Sequence, residues 1–311
     1  MRLLSILCTA SFLATSGHCL AESTKDLSPQ PVQLHFGWQP GMTADVVATT
    51  RMSMKHAGTD TPGDDVAQAA TIAYRLHTTI RGKDLQVSFD SFRANGTPVP
   101  ADATGTLRSV YPSFIVTDAG DFADVDGDGS SPLLDDIRKT DGPEIRAVLP
   151  GATPDRMLRV TAAAIWNGLV GAWNHVELRP GEETTKTRSG TSALTGGDVS
   201  VATTYRVNGE TPCVRSGVAR RCVEVTLSTD LAPRPFEGML QRLTAMARQT
   251  DPGFSAEFEG ARATMTTVIE PDGMIPHHSL RVTTISMRTT EHGQPSHLDA
   301  VRTEESTIDF R

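Results

Sequence analysis

The stretch TIAYRLHTTIRGKDLQVSF, residues 71–89, alternates apolar and polar side chains on both sides of the pair Gly82–Lys83. Successive side chains of a β-strand point to opposite faces, so a period of two places the apolar residues on one face. These residues are Ile72, Tyr74, Leu76, Ile80, Leu85, Val87 and Phe89. The stretch therefore predicts an antiparallel hairpin that buries one face and turns at Gly82–Lys83.

The same alternation recurs along much of the chain. Residues 255–269, 275–290 and 298–310 predict a three-stranded meander that turns at Pro271–Asp272–Gly273 and at His292–Gly293. Further alternating segments are residues 32–38, 46–54, 199–207 and 223–227. The pair Asn208–Gly209 favours a type I′ turn, because both of its residues tolerate positive φ, and it predicts the end of a strand.

Three segments have the period of a helix instead. Pro154 can begin a helix, because the first helical N–H has no partner within the helix. The apolar stripe of this helix consists of Met157, Val160, Ala164 and Ile165. Residues 236–247 repeat apolar side chains at i, i+3, i+4 and i+7, and residues 132–139 are a third candidate.

Together these patterns predict a mainly β protein with inserted helices. We expect a large curved antiparallel sheet or half-barrel, with two or three helices on or in its concave face, since each apolar face must be covered by another element. A single β-rich domain over residues 22–311 fits the long strand series on both sides of the helical segment. A division near residue 150 is the alternative.

The first 21 residues have the pattern of a cleavable signal peptide. Met1–Arg2 is a short charged region, an apolar run follows, and the small residue Ala21 ends the predicted leader. A lipid anchor on Cys19 is the alternative, although His18 stands where a small residue normally precedes a lipidated cysteine. No later stretch is apolar enough to predict a transmembrane helix. We therefore expect a periplasmic or secreted protein.

The cysteines fit an oxidising compartment. The leader contains Cys8 and Cys19, which leaves Cys213 and Cys222 for the exported chain. Two cysteines around a Gly217-containing turn predict a structural disulfide that joins the two strands of a hairpin. A redox pair would more often have the spacing Cys-x-x-Cys.

The charge of the chain argues against a nucleic-acid partner. The net charge is −8, and nine acidic residues lie between Asp118 and Glu144 against only Arg138 and Lys139. A nucleic-acid-binding protein would show a basic stripe, so no nucleic acid is expected.

Within this acidic segment, ADVDGDGSSPLLDD, residues 123–136, resembles a calcium-binding loop. Carboxylates at its positions 1, 3, 5 and 12 and a backbone carbonyl at position 7 would surround the ion, with Gly129 at the sharp turn. The predicted ligands are Asp124, Asp126, Asp128, Ser130 and Asp135. Pro132 at position 9 departs from the pattern, and an exposed acidic turn is the alternative. A bound Ca²⁺ would be structural; no other cofactor is expected.

Catalytic signatures are absent from the sequence. It contains neither G-x-S-x-G nor H-E-x-x-H, and both predicted disulfide cysteines are unavailable as nucleophiles. Adjacent His277 and His278 point to opposite faces of a strand and do not chelate one ion together. We therefore predict a protein that is not an enzyme. A secreted hydrolase with a site invisible in the sequence and an envelope interaction module are the alternatives.

A family resemblance rests on three stretches. The opening HFGWQPG at 35–41, the central WNGLVGAW at 166–173 and the late cysteine hairpin resemble uncharacterised exported β-rich proteins of Gram-negative bacteria. The arrangement resembles the open half-barrels of LolA-like lipoprotein carriers, in which a lipid tail lies on the concave face. The resemblance implies an apolar groove and a hydrophobic small molecule or lipid as ligand. Trp166 and Trp173 then either line this groove or anchor the helix to the sheet.

Overall fold

Fourteen strands lie in the residues that the computed structural model describes. Those residues are 31–57, 66–100, 110–126, 154–191, 198–231, 251–291 and 293–311, with scattered positions between 103 and 108 and between 237 and 249. In chain order the strands are β1 (His35–Phe36), β2 (Thr43–Ala57), β3 (Val66–Arg81), β4 (Asp84–Ala94), β5 (Thr97–Pro98), β6 (Phe114–Val116), β7 (Phe122–Val125), β8 (Glu183–Thr191), β9 (Asp198–Arg215), β10 (Val218–Leu231), β11 (Ser255–Glu270), β12 (Asp272–Gly273), β13 (Ile275–Glu291) and β14 (Gln294–Phe310).

Twelve of these strands form one antiparallel sheet. Its order is β7-β6-β4-β3-β2-β14-β13-β11-β10-β9-β8, with β5 added beside β4. The two ends of this order, β7 and β8, do not pair with each other, so the sheet is open. Strands from both halves of the chain meet at β2 and β14 in the middle of the sheet. The predicted large antiparallel sheet is confirmed, and Pro31–Arg311 form one compact unit.

The predicted hairpins at both ends of the chain are present. Strands β3 and β4 pair Leu76 with Phe89 and turn at Gly82, whose positive φ of 66° suits a residue without a side chain. Strands β11, β13 and β14 form the predicted meander with nearly the predicted boundaries. These segments alternate apolar and polar residues over long runs, which is the sequence signal that specifies strand pairing most strongly.

The turn predicted at Asn208–Gly209 is wrong. Strand β9 continues through both residues, and the hairpin turns later at Ser216–Gly217, where both φ angles are positive. Gly209 pairs with Glu224 while Val207 pairs with Val225, so Asn208 is the extra residue of a β-bulge. The Asn208 amide nitrogen donates to the Glu224 carboxylate at 2.7 Å and to the Thr226 hydroxyl at 2.9 Å, which stabilises the bulge.

The sheet has one core-facing side, which we call the inner face. Paired strands place Val46 of β2, Leu76 of β3 and Phe310 of β14 on it, and all three are buried. The outer face carries threonines that hydrogen-bond across strands, for example Thr226 to Thr266 at 2.9 Å. This division follows from the period of two and from the cost of leaving apolar side chains in water.

A single helix with defined bounds, α1 (Pro154–Leu169), lies against the inner face in the described residues. A short 3₁₀ turn, Gly171–Trp173, follows it. Leu158, Ala162 and Trp166 of α1 are buried in the core. The prediction of two or three helices is not supported: residues 132–139 lie outside the described residues, and the scattered described positions of 237–249 include helical ones without defined helix bounds.

Aromatic residues close one end of the inner face. The Trp38 ring lies 5.1 Å from the Phe310 ring and 5.2 Å from the Trp166 ring, between centroids. The Trp38 indole N–H donates to the Met274 carbonyl at 3.1 Å. Each such aromatic pair contributes about 0.5–1.5 kcal/mol beyond its buried area. We call this region, defined by Trp38, Trp166, Met274 and Phe310, the closed end.

The predicted signal peptide, with cleavage after Ala21 and the alternative anchor at Cys19, lies outside the described residues. Among the helices that the structure does describe, none has the length and apolar character needed to span a bilayer.

Candidate functional site

A cavity of about 670 Å³ lies between α1 and the inner face of the sheet. Its sheet residues are Val46, Ala48, Thr50, Met52, Tyr74, Met265, Ser279, Arg281, Thr283, Ile285, Ala300, Arg302, Glu304, Ser306 and Ile308. Its remaining described residues are Val110, Tyr111, Val160, Thr161, Ala164, Ile165, Gly168 and Leu169. The cavity therefore has a sheet floor and a helical wall.

Strand register orders the floor into rows that cross β2, β14 and β13. On β14, Ile308 lies nearest the closed end and Ala300 farthest from it. The eight residue-to-residue steps of extended chain from Ala300 to Ile308 span roughly 27 Å. The cavity is therefore elongated along β14.

The half of the cavity nearest the closed end is mainly apolar, with Ser279 and Ser306 as its polar residues. Val46, Met265, Ile308 and Leu169 line it, and each is less than a tenth exposed. Tyr74 completes this half, and its ring lies 4.8 Å from that of Tyr111. Burial, with a smaller effect of Tyr111, raises the pKa of the Tyr74 hydroxyl far above its ordinary value, so the hydroxyl is neutral at physiological pH.

A charged band crosses the middle of the floor. Arg281 of β13 pairs directly with Glu304 of β14, and Arg302 lies two residues from Glu304 on the same face. The Arg302 guanidinium donates to the Glu304 carboxylate. Burial raises the pKa of the nearby Tyr111 hydroxyl; the Glu304 charge raises it further, and the Arg302 charge opposes this effect.

Exposed apolar side chains gather at the cavity. The described residues include eight large apolar side chains that are exposed, and four of these line the cavity: Met52, Val110, Val160 and Ile285. Single exposed apolar residues are ordinary on a protein surface, whereas a contiguous group around a concavity is typical of a binding site. Apolar residues therefore line the cavity beyond the charged band as well as between the band and the closed end.

Most of the apolar stripe predicted for α1 lines the cavity, and Ile165 of this stripe also packs against the core. Val160, Ala164 and Ile165 line the cavity, while Ala162 and Trp166 on the other side of the helix are buried. The helix is therefore apolar on two sides. Only one of these sides is needed to attach the helix to the sheet.

The two tryptophans of WNGLVGAW anchor α1 instead of lining the cavity. Trp166 is 1% exposed and Trp173 is fully buried. The Trp166 indole N–H donates to the Gly120 carbonyl at 3.1 Å, and the Trp173 ring packs edge-on against Tyr205 of β9 at 5.9 Å. A Cβ on Gly171 would lie only 2.3 Å from the Trp166 ring, so glycine is required there.

The predicted disulfide is present. Cys213 of β9 and Cys222 of β10 are bonded, with their Cα atoms 5.8 Å apart, in the hairpin that turns at Ser216–Gly217. His277 lies close to both sulfurs. Because the sulfurs are bonded to each other, they are not thiolate ligands, and this group does not form a metal site in the oxidised protein.

Beside the disulfide, a buried carboxylate has two basic partners. Glu270 is 6% exposed; its carboxylate oxygens lie 2.9 Å from His277 Nε2 and 3.4 Å from Arg215 Nη1. Through these contacts Glu270 joins β11, β13 and β9. None of the three residues lines the cavity, so the group is structural in position.

The predicted calcium loop is only partly described. Asp124 lies 3.4 Å from Arg159 of α1, and Asp126 lies 3.1 Å from Arg81 and accepts a hydrogen bond from Gln86. Asp128, Ser130 and Asp135 lie outside the described residues. The two described carboxylates therefore each have an arginine partner, and the calcium site stays a prediction.

Comparisons with known proteins give no family. Neither a protein-family profile nor a curated protein sequence matches this chain.

Two solved structures are partly similar. A structure of lipovitellin, described for its lipid–protein interactions, is similar over 88% of this chain with 10% identity and a TM-score of 0.39, and this chain covers 26% of that one. The hypothetical lipoprotein YmcC from Escherichia coli (K12) is similar over 83% of this chain and 85% of its own, with 7% identity and a TM-score of 0.26. These similarities do not show the predicted relation to LolA-like carriers, which stays a prediction.

Proposed function

We propose that this exported protein binds a hydrophobic small molecule or lipid in the cavity between α1 and the inner face. The observation that carries this proposal is the apolar lining on both walls, including exposed Met52, Val160 and Ile285. Covering such side chains with an apolar ligand releases water and stabilises the complex by about 25 cal/mol for each Å² buried.

The size of the cavity supports this function. Small-molecule sites in proteins are concave, mostly apolar, and about 300–1,000 Å³ in volume, with a few polar groups that orient the ligand. The cavity of about 670 Å³ lies within this range. A second cavity of about 350 Å³ near β4 and β5, lined in part by Asp90, Arg93 and Arg108, is smaller and more polar.

A binding role without catalysis is part of the proposal. The described lining of the cavity contains a single carboxylate, Glu304, together with Arg281 and Arg302, and no histidine or cysteine. These groups can orient a ligand. A hydrolase would need a nucleophile or an activated water beside a general base. Glu304, the single carboxylate of the described lining, is instead paired with Arg302.

The compartment is inferred from the disulfide. Disulfides persist in the periplasm and outside the cell, where thiols are oxidised. The bond between Cys213 and Cys222 therefore supports an extracytoplasmic location, in agreement with the signal peptide predicted at residues 1–21.

A substitution that fills the cavity tests the function. Ala164 is exposed on the cavity side of α1, so Ala164→Trp places an indole in the cavity without disturbing the core. We expect Ala164→Trp to reduce the affinity for a neutral naphthylamine dye at least tenfold, because the indole occupies the volume that the dye needs. Fluorescence titration of the delipidated protein measures this affinity.

The matched control is Asn167→Trp, which adds the same side chain at an exposed position of α1 outside the cavity lining. It should bind the dye like the original protein. Equal binding by both variants, with both folded by circular dichroism, would place the dye elsewhere and refute the proposed site.

A further inference from the structure

We infer that the ligand is a single-chain amphiphile with an anionic head group, held by Arg281, and that its tail lies in the apolar half of the cavity next to the closed end. This inference rests on the proposed function and assigns the ligand's chemical class. Four observations support it: the inverted polarity of the β13 segment around Arg281, the charge balance of the band, the absence of a described partner for the Arg281 side chain, and the length of the cavity along β14.

Between Ser279 and Thr283, strand β13 points its polar side chains inward. Arg281 faces the cavity, whereas its apolar neighbours Leu280 and Val282 lie on the outer face. The reverse orientation would bury two more apolar side chains and would leave the guanidinium in water. A local choice that opposes the apolar pattern of a fold is expected at functional sites, where binding rather than stability selects the residue.

The charges of the band do not cancel. Arg281 and Arg302 supply two positive charges and Glu304 supplies one negative charge. Arg302 and Glu304 form an ion pair with each other. The Arg281 guanidinium has no hydrogen bond or ion pair with any residue that the structure describes. The band therefore has one guanidinium available, and a guanidinium binds carboxylate or phosphate oxygens through two parallel hydrogen bonds.

The position of the band sets the orientation of the ligand. Along β14, Glu304 lies four residues from Ile308, which is roughly 13 Å of extended strand. With its head at Arg281, a ligand can extend its tail this far between Val46 and Leu169 toward the closed end. The length of the cavity along β14 suits an extended alkyl chain.

Three amphiphiles with one tail and different heads test this inference. Dodecanoate, dodecanol and dodecyltrimethylammonium are titrated against the delipidated protein, with displacement of the neutral naphthylamine dye as the readout. We expect dodecanoate to bind at least tenfold more tightly than the other two, since hydrogen bonds to charged groups strengthen binding by about this factor or more. Dodecyl phosphate, as a fourth ligand, distinguishes a phosphate head from a carboxylate head.

Two substitutions in the band should change the preference for dodecanoate over dodecanol in opposite directions. Arg281→Gln should abolish the preference for dodecanoate over dodecanol while leaving dodecanol binding unchanged. Glu304→Gln removes the negative charge and should increase the preference several-fold. Arg51→Gln, on the exposed outer face of β2, removes an arginine outside the cavity and should change neither affinity.

The outcomes separate the two proposals. If dodecanoate and dodecanol bind equally, or if the cation binds best, the anionic head group is refuted while the apolar cavity stands. If no amphiphile displaces the dye and Ala164→Trp has no effect on dye binding, the proposed function itself fails. Should Arg281→Gln not fold, the increase expected for Glu304→Gln decides the question alone.

Discussion

Glu270 is a buried carboxylate that contacts charged or titratable side chains of two other strands. Its carboxylate is almost fully buried; it accepts a hydrogen bond from His277 and forms an ion pair with Arg215, and these two residues come from two other strands. A buried charge is costly unless it has partners with good geometry, and removing one partner leaves the others unpaired in a medium of low polarity. The contacts of Glu270 therefore hold β9, β11 and β13 together near the disulfide.

Replacement of Glu270 by alanine should lower the free energy of unfolding by about 3–5 kcal/mol, because His277 then loses its acceptor and Arg215 loses its ion-pair partner. Glu257→Ala is the matched control: its carboxylate is exposed, and loss of an exposed ion pair costs under about 1 kcal/mol. Urea denaturation measures both values. Equal effects of the two substitutions would show that the burial of Glu270 contributes nothing.

Individual residues also show the limit of sequence interpretation. Cys213 and Cys222 were predictable as a disulfide, because few cysteines remain once the leader is set aside and they flank a turn. Arg281 gave no such signal, because its face of β13 depends on pairing with β11 and β14. The bulge between Val268 and Ile269 contributes to that register, and no local pattern predicts it.

At the scale of elements, the hairpin of β9 and β10 extends beyond the bulge at Asn208 and leans toward the end of β14. The Ser216 hydroxyl donates to the Phe310 carbonyl at 3.5 Å, although two strands separate β10 from β14 in the sheet. The disulfide lies in this part of the hairpin, where β10 does not pair with β11. The stability of this part of the hairpin should therefore depend on the covalent bond.

The double substitution Cys213→Ala with Cys222→Ala should lower the free energy of unfolding by about 2–3 kcal/mol, since the short closed loop no longer restricts the unfolded chain. Guanidinium denaturation measures the change. Reduction with dithiothreitol should destabilise the original protein by a similar amount and leave the double variant unaffected. A protein equally stable in both redox states would contradict this account.

The bounds of helix α1 were predictable from the sequence, whereas the contacts of its apolar stripe were not. Its bounds follow from Pro154 and from the apolar period. Val160 and Ala164 of the apolar stripe, however, line the cavity, whereas Ala162 and Trp166 are buried in the core. When a helix is apolar on two sides, its sequence does not indicate which side packs against the core and which side contacts a ligand.

At the scale of the whole molecule, alternation predicted the strand-rich open sheet, because long antiparallel strands with one buried face repeat the same signal. The strand order and the meeting of β2 with β14 join residues far apart in the chain, and no local pattern reports them. The cavity arises from that order, because its floor combines β2, β14 and β13. For this reason the site emerges only when the sheet is assembled.

Photolabelling tests the central claim most directly. The delipidated protein is loaded with a single-chain carboxylic acid that carries a diazirine at the end of its tail, irradiated, digested and analysed by mass spectrometry. The account predicts adducts on residues next to the closed end, such as Val46, Leu169 and Ile308, and their loss in Ala164→Trp. Adducts confined to the outer face, for example at Val47, or labelling unchanged by Ala164→Trp, would contradict it.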